Sequence, residues 1–213
     1  MPVYTADALI LRTYPLGESD RIVVFLTRDR GKKRGAAKNA RQSRRRFGAA
    51  LEPMTCGRVA YVERERRDLV ALHYVEVTRS PLSAVDGEAL GYVSYFAELI
   101  DEWAQEADPN EALYRLGASI VDALARGVPI DPLARYFEFW LLRLQGVYEP
   151  GAQLSAEAKM FLAVARTCTP FGLAGVAVSR GALRELEAAH RALIAMHLDK
   201  ELKSARVLRE MRR

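Results

Sequence analysis

The chain has 213 residues, half of them apolar, so it can bury a sizeable core, which argues against a disordered chain. No segment approaches 18 uninterrupted apolar residues, and the N-terminus lacks the basic and apolar regions of a signal peptide, so we expect a cytoplasmic protein with no membrane partner. The net charge is +5, but residues 1–80 carry +8 and residues 81–213 carry −3, which favours a polyanion as the partner of the first part and a protein as the partner of the second.

Residues 1–80 have the pattern of short strands separated by turns. A short helical insert is expected near residues 44–51. Five strands with this insert predict a small Greek-key barrel of the OB type, although a small open sheet would have the same number of strands. We prefer the barrel because five strands bury little apolar surface unless the sheet closes on itself. The predicted strands are rich in β-branched and other apolar residues and cover residues 8–14, 21–27, 32–38, 56–63 and 69–77.

From residue 81 onward, apolar residues recur every three or four positions, as they do in amphipathic helices. The segment 132–145 is apolar nearly all round, which predicts the buried centre of a helical bundle. Ser155 is the expected N-cap of the helix that follows it, and residues 180–213 hold one or two further helices. The predicted fold class is therefore α+β, with an OB-type barrel in residues 1–80 packed against an all-α domain in residues 81–213.

The segment from residue 28 to residue 46 is the strongest candidate for a binding site, because it contains ten basic residues and one acid, Asp29. Such a row of cations attracts phosphates and releases their counterions, an interaction that depends on salt and not on base sequence. Alternation along the third strand would place Lys32, Arg34 and Lys38 on one face, whereas the alternative interpretation is a solvated basic loop. The predicted nucleic-acid-binding residues are Arg28, Arg30, Lys32, Lys33, Arg34, Lys38, Arg41, Arg44, Arg45 and Arg46.

Aromatic side chains strengthen the binding of single strands, because every base has a face that can stack on a ring, worth about 1–3 kcal/mol for each base. Tyr14, Phe47 and Tyr61 lie near the basic segments of the sequence and are the predicted stacking residues. The alternative for each of them is an ordinary position in the barrel core.

No arrangement of residues predicts an active site. The chain has neither a GxxxxGK[ST] motif ahead of a helix nor a GxSxG motif, so a nucleotide-hydrolysing P-loop and a serine nucleophile elbow are not supported. Cys56 and Cys168 lie far apart in the sequence, which argues against a disulfide framework and against a zinc site with paired cysteines. The three histidines are interpreted as solvated or core residues. We therefore expect no enzymatic activity and no cofactor.

Several motifs, read in chain order, resemble those of a known family. They are ALILRTYPLGESD at 8–20, LTRDRGK at 26–32, AAKNAR at 36–41, RYFE at 135–138, LLRL at 141–144 and ELKS at 201–204. Together they resemble the bacterial RecO family of recombination mediators, and the resemblance extends over almost the whole chain.

This resemblance implies an N-terminal OB-fold and a C-terminal helical domain without catalytic turnover. It also implies binding of single- and double-stranded DNA in the nucleoid, annealing of complementary strands, and work with the partner RecR to load RecA onto DNA coated by single-stranded-DNA-binding protein. The acidic C-terminal tail of that coating protein is a further expected partner. The rival interpretation is an OB-fold RNA-binding factor of translation, because RNA presents the same phosphates.

The helical domain carries two further expectations. A partner tail that ends in acids and an aromatic needs an apolar pocket beside a cation, and Arg135, Arg143, Lys203 and Arg206 are the predicted residues, with ordinary surface arginines as the alternative. Many members of the family have a four-cysteine zinc module in this domain, whereas this chain has only Cys168 there. One thiolate cannot hold a structural zinc ion, so we expect the zinc module to be absent or degenerate.

Overall fold

The computed structural model describes residues 2–43, 46–63, 68–83, 87–149 and 154–211. Within these ranges the chain forms a β-barrel followed by a bundle of helices, as the sequence predicts. The strands are β1 (Val3–Leu16), β2 (Asp20–Thr27), β3 (Gly31–Ala37), β4 (Cys56–Val62) and β5 (Val70–Arg79), and the helices are α1 (Gly87–Trp103), α2 (Glu111–Ala125), α3 (Ile130–Leu144), α4 (Ala156–Thr167), α5 (Arg180–Leu198) and α6 (Lys203–Met211).

The five strands close into a barrel in the order β1-β2-β3-β5-β4, with β4 paired again to β1. All the pairs are antiparallel except β3 with β5, which run parallel through Gly35–Ala37 and Val70–Leu72. Closure confirms the predicted barrel over the open sheet. Apolar residues of all five strands fill the interior, including Ile10, Phe25 and Tyr61. A short 3₁₀ turn, Gly48–Leu51, covers one part of this core where a helical insert is predicted.

A β-bulge in β1 determines which of its side chains face outward. Ile10 is opposite Phe25 and Arg12 is opposite Val24, so two residue steps on β1 match one step on β2. Ile10 points into the barrel, whereas Leu11 packs in the core shared with the helices. Because the bulge adds one residue on the outer side, Arg12 also faces outward, and Tyr14 follows it two positions later.

The helices pack around α3, which is buried along most of its length, as the apolar pattern predicts. Ser155 accepts a hydrogen bond from the amide of Ala158 and caps α4, which confirms the predicted N-cap. The segment after residue 180 contains two helices, separated at Asp199 by a left-handed backbone conformation. None of the described helices is long and apolar enough to span a membrane.

The barrel and the bundle share an apolar core. Leu9 and Leu11 of β1 and Val24 and Leu26 of β2 belong to the same cluster of buried side chains as α1 and α2. Gly117 of α2 makes this contact possible, because a Cβ atom at that position would lie 2.6 Å from Leu9 Cδ2. The outer face of β1 and β2 is therefore covered by helices at one end and open at the other.

Candidate nucleic-acid interface

The open part of the outer face is a short groove across three strands. Strand register places Arg12, Val24 and Arg34 in one row and Tyr14, Ile22 and Ala36 in the next. The groove has a volume of about 380 Å³ and ends against α1 and the segment after it. We call it the Tyr14 groove, and its lining residues are Tyr14, Ile22, Val24, Lys32, Arg34, Asp101 and Glu106.

The first two residues of the basic stretch lie at the turn between β2 and β3. Arg28 is neutralised by Glu111 at the start of α2, with Nη2 2.6 Å from Oε1. Hydrogen bonds to Glu111 are the largest cause of the raised pKa of Arg28. Arg30 lies 3.7 Å from its neighbour Asp29, and its guanidinium is 4.6 Å from the centre of the Tyr4 ring.

The two lysines of β3 are also paired with carboxylates. The ammonium of Lys32 donates to the side chain of Asp101 at 3.1 Å and to its carbonyl oxygen at 2.6 Å. Lys33 lies opposite the inward-facing Phe25 and reaches Glu63 at 2.8 Å. Alternation does place Lys32 and Arg34 on one face, but Lys38 lies beyond the end of β3. Arg28, Lys32 and Lys33 are therefore paired with carboxylates, and the role of the stretch in nucleic-acid binding stays a prediction.

Besides Arg28 and Arg30, four cations of the stretch are exposed: Arg34, Lys38, Arg41 and Arg46. Within the part of the chain that the structure describes, none of these four forms an ion pair with a carboxylate. We call these four residues the basic end. Arg44 and Arg45, also predicted to bind nucleic acid, lie outside the described residues.

The basic end is held against the turn between β1 and β2 by backbone contacts. Arg41 donates from its amide to the Ser19 carbonyl and from its guanidinium to the Glu18 carbonyl, and Arg46 donates to the carbonyl of Lys38. The amide of Asn39 donates to the side chain of Asp20. Because main-chain oxygens carry no full charge, these contacts orient the guanidiniums and leave their charges available.

Of the three aromatic residues predicted to stack on bases, only Tyr14 is accessible, with 37% of its surface exposed. Phe47 and Tyr61 are 2% and 0% exposed and fill the barrel core. Burial is the largest cause of the pKa of Tyr61 rising to about 12. A buried ring offers no face to a base, so the prediction of stacking is corrected for Phe47 and Tyr61.

Arg12 lies beside the groove, in one row with Val24 and Arg34, and the sequence reasoning missed it. Its guanidinium donates to the hydroxyl of Tyr14 at 2.9 Å and pairs with Asp101 at 2.9 Å. Partial burial disfavours the charged form, but Asp101 and Tyr14 outweigh this effect and raise the pKa of Arg12. The pair fixes Tyr14 beside α1. The bulge that brings Arg12 and Tyr14 to one face leaves no clear mark in the sequence, because simple alternation would turn both of them inward.

The four residues predicted to bind a partner tail do not lie together. Arg135 is 3% exposed and is paired with Glu138 at 2.9 Å and Glu187 at 3.3 Å. Arg143 is exposed and lies over the rings of Phe139 and Trp140. Lys203 and Arg206 are exposed on α6, and neither of them lines the partly apolar cavity that contains Arg135.

That cavity has a volume of about 510 Å³ and lies between α1, α3, α5 and α6, with Arg135 in its wall. Its apolar wall includes Leu202 and Leu208, and its rim includes Arg191, Lys200 and Arg209. Lys200 is paired with Glu102, and Arg209 is paired with Glu201. The cavity was not found from the sequence, because its walls come from helices more than a hundred residues apart.

A buried polar cluster lies at the base of this cavity. Glu138 accepts hydrogen bonds from the hydroxyl of Tyr95 at 2.9 Å and from Arg135, and its other oxygen is 3.0 Å from Nδ1 of His190. His190 is fully buried, as a core histidine is expected to be, and Nε2 lies 3.3 Å from the hydroxyl of Tyr148. The cluster ties α1, α3 and α5 together through a single carboxylate.

The donor groups of the helical domain do not fit a structural zinc ion. Among the described residues, no group of three or more His, Cys, Asp or Glu is placed to hold a metal ion. Cys168 is half-buried at the end of α4, whereas Cys56 is buried where the barrel meets the helices. Zinc in a structural site takes four ligands, and Cys168 stands without a second thiol near it in the described structure.

Two family models match the chain. The model for the N-terminal part of recombination protein O covers residues 1–81, and the model for its C-terminal part covers residues 84–150. The boundary between the two matches falls close to the end of β5, where the barrel ends and the helices begin.

Several curated relatives are named DNA repair protein RecO. The relative from Koribacter versatilis is 44% identical over 142 residues, which is 66% of this chain and 58% of that protein. The relative from Anaeromyxobacter sp. (strain K) is 41% identical over 142 residues, 65% of this chain and 55% of that protein. The relative from Pelotomaculum thermopropionicum is 31% identical over 201 residues, 88% of this chain and 77% of that protein.

The chain thus spans 58% and 55% of the length of the first two relatives and more than three quarters of the third. The two family models together cover most of the chain, and the barrel and helical bundle agree with the fold that the resemblance implies. The chain therefore belongs to the RecO family of DNA repair and recombination proteins.

Proposed function

We propose that this chain is a non-enzymatic mediator of recombinational repair. It binds single- and double-stranded DNA in the cytoplasm, anneals complementary strands and, with RecR, helps to load RecA onto DNA coated by single-stranded-DNA-binding protein. The observation that carries the proposal is the Tyr14 groove, which continues into the four exposed cations of the basic end.

The charges around the groove indicate the path that a bound single strand of DNA follows. Asp101 and Glu106 form one end of the groove. Asp101 is paired with Arg12 and Lys32, whereas the exposed carboxylate of Glu106 repels phosphates. Arg34 lies on the opposite side of the groove, and β3 leads from it toward Lys38 and the rest of the basic end. A single strand therefore runs from Tyr14 along β3 toward Lys38, with one base against the exposed part of the Tyr14 ring.

Annealing on this surface needs no chemical fuel. Base pairing supplies the favourable free energy, whereas repulsion between two polyanionic strands opposes their encounter. Cations that neutralise part of one strand lower that repulsion, so the protein accelerates a reaction that is already favourable. Turnover of a bond is not required, and the proposal assigns no catalytic residue.

The cavity of the helical bundle is the proposed site for the acidic tail of single-stranded-DNA-binding protein. Leu202 and Leu208 offer an apolar surface for an aromatic side chain, and Arg191, Lys200 and Arg209 are positioned at the rim for carboxylates. Peptide carboxylates would replace Glu102 and Glu201 as partners of Lys200 and Arg209. Arg135 stays paired with Glu138 and Glu187 and forms part of the cavity wall beneath the bound tail.

Replacing the four residues of the basic end with Gln tests the DNA-binding surface. Each lost phosphate contact lowers the slope of log K against log salt by about 0.7 for a single strand, so the slope should fall by about 3. Fluorescence anisotropy with a labelled oligonucleotide measures it. The matched control replaces four exposed cations of the helical domain, Arg115, Lys159, Arg184 and Arg206, and should keep the wild-type slope. An unchanged slope in the first variant would refute the site, and tighter binding of RNA than of DNA of equal length would favour the translation factor.

Tyr14→Ala should weaken single-strand binding about 5- to 150-fold, because a base stacked on an aromatic ring contributes about 1–3 kcal/mol. Tyr14→Phe keeps the ring and loses only the hydrogen bond from Arg12, so its affinity should stay close to that of the wild type. Binding to a duplex, whose bases are already stacked, should change little in either variant. Equal losses in the Ala and Phe variants would mean that the hydroxyl, and not the ring, carries the interaction.

The tail site is tested with a synthetic peptide of the acidic C-terminus of single-stranded-DNA-binding protein. Arg191→Gln together with Arg209→Gln should weaken peptide binding roughly tenfold, the effect of losing a charge-assisted hydrogen bond, as measured by calorimetry. Ala205→Trp, which fills the cavity without changing charge, should have a similar effect. Arg143→Gln is the control and should bind normally. Normal binding by both cavity variants would place the tail elsewhere.

We also propose that the protein needs no metal ion. Protein dialysed against EDTA should contain far less than one zinc ion per chain by mass spectrometry and should keep its melting temperature. Cys168→Ser should melt at a similar temperature, because the thiol is only half-buried. Stoichiometric zinc, or a melting temperature lowered by EDTA, would contradict the proposal.

Incubation of the protein with labelled DNA and magnesium or manganese should leave the DNA uncut, as expected for a protein that is not a nuclease.

A further inference from the structure

A second surface with cations and aromatic rings lies on the helical domain, on the side formed by α3, α4 and the segment after α4. Arg126, Arg143 and Arg166 are all exposed there. The guanidinium of Arg126 lies 4.2 Å from the centre of the Phe171 ring. That of Arg143 lies 5.5 Å from the Phe139 ring and 5.7 Å from the Trp140 ring.

Hydrogen bonds connect these groups into one strip. The indole of Trp140 donates to the carbonyl of Ala165 at 3.0 Å, which brings it beside Arg166. One turn earlier on α3, the hydroxyl of Tyr136 donates to the carbonyl of Cys168 at 3.3 Å, close to the segment that carries Phe171. The positions from Tyr136 to Arg143 extend over about 10 Å of helix. We call this surface the Trp140 strip, and its residues are Arg126, Trp140, Arg143, Tyr148, Arg166 and Phe171.

The charges of the strip are free to act on a ligand. In the described ranges, Arg126, Arg143 and Arg166 form no ion pair with a carboxylate, in contrast to Arg28 and Arg135. Burial is the largest influence on the pKa of Tyr148 and raises it to about 12. The nearby positive charges of Arg143 and Arg166 act in the opposite direction and lower that pKa. The strip is therefore a surface with a local surplus of positive charge and with partly exposed rings.

The strip is separate from the Tyr14 groove. The barrel packs mainly against α1 and α2, whereas five of the six strip residues lie on α3, on α4 or in the segments that follow these helices. The sixth, Arg126, lies at the end of α2 and faces Phe171. It is also separate from the cavity proposed for the acidic tail, because none of its six residues lines that cavity. A ligand on the strip therefore need not displace a ligand from either of the other two sites.

We infer that the Trp140 strip is a second binding surface for single-stranded nucleic acid. A guanidinium over a ring can stack a base on its outer side and can donate to a phosphate from its edge. Two such groups, together with the exposed cation of Arg166, fit a chain of repeated phosphates and bases better than a peptide with a single terminal carboxylate, which requires a pocket. The inference rests on the proposed annealing function, because a chain with two surfaces can hold two complementary strands at once.

The first experiment counts the oligonucleotides that bind to one full-length chain. The probe is a labelled oligothymidylate of about ten residues, within the site size of one OB-fold. The strip variant carries Arg126→Gln, Arg143→Gln and Arg166→Gln, and the barrel variant carries Gln at the four positions of the basic end. Native mass spectrometry should find two oligonucleotides on the wild type and one on each variant. One on the wild type, or two on the strip variant, overturns the inference.

The two proposals fail in different ways in this experiment. If the strip variant behaves as the wild type and the barrel variant loses all binding, the inference is overturned and the proposed function stands. If the barrel variant still binds two oligonucleotides, the basic end is not a DNA-binding site, and the proposed function loses the observation that supports it. The matched control for the strip replaces Lys159, Arg180 and Arg184, three exposed cations outside it, and should keep both oligonucleotides. The strip variant should also lower the salt slope by about 2.

A second readout reports on the strip directly. The chain has two tryptophans, so Trp103→Phe leaves Trp140 as the only one. Oligothymidylate should quench the fluorescence of this protein, and the quenching should persist when the basic end is also replaced by Gln. Circular dichroism checks that the variants keep their helices. Quenching that disappears with the basic end, or that the acidic tail peptide produces and the oligonucleotide does not, overturns the inference.

Discussion

The packing of α1 and α2 against the outer face of β1 and β2 determines the position of every residue in the Tyr14 groove. Leu9 and Leu11 enter the helical core from one strand, and the close contact at Gly117 brings the helices near enough to cover one end of the sheet face. The groove lies on the uncovered part, and the end of α1 forms its wall. A change that shifts the two domains relative to each other would therefore alter the binding surface without touching any cation in it.

The same packing explains why the charge of the sequence overstates the charge offered to DNA. Residues 1–80 have a surplus of cations and the helical domain has a surplus of acids. Some of these opposite charges neutralise each other where the domains meet. Asp101 forms ion pairs with Arg12 and Lys32, and Glu111 forms an ion pair with Arg28. These pairs hold the domains in register. Among the described cations of residues 28–46, Arg34, Lys38, Arg41 and Arg46 lie beyond the carboxylates of the helices and are available to a polyanion.

The barrel and most of the helices could be predicted from the sequence because both depend on local patterns, alternation in strands and a period of three to four in helices. The faces of individual residues were harder to predict. Tyr61 lies near basic residues along the chain, yet the closed barrel turns it inward. Arg135 and Arg143, eight residues apart on α3, differ completely in burial. Sites assembled from distant segments, such as the cavity between α1, α3, α5 and α6, leave no local pattern at all.

The bulge in β1 has one more consequence. Before it, odd-numbered positions such as Leu9 and Leu11 face the helices, and after it the even-numbered positions Arg12 and Tyr14 take over the same side. The outward-facing side chains therefore switch from odd-numbered to even-numbered positions at the bulge. The first part of the strand packs against the helices, and the second part contributes to the binding surface. The one extra residue in the bulge therefore decides that the phenol of Tyr14 faces solvent. Without that residue, the alternation of side chains along the strand would turn Tyr14 into the barrel.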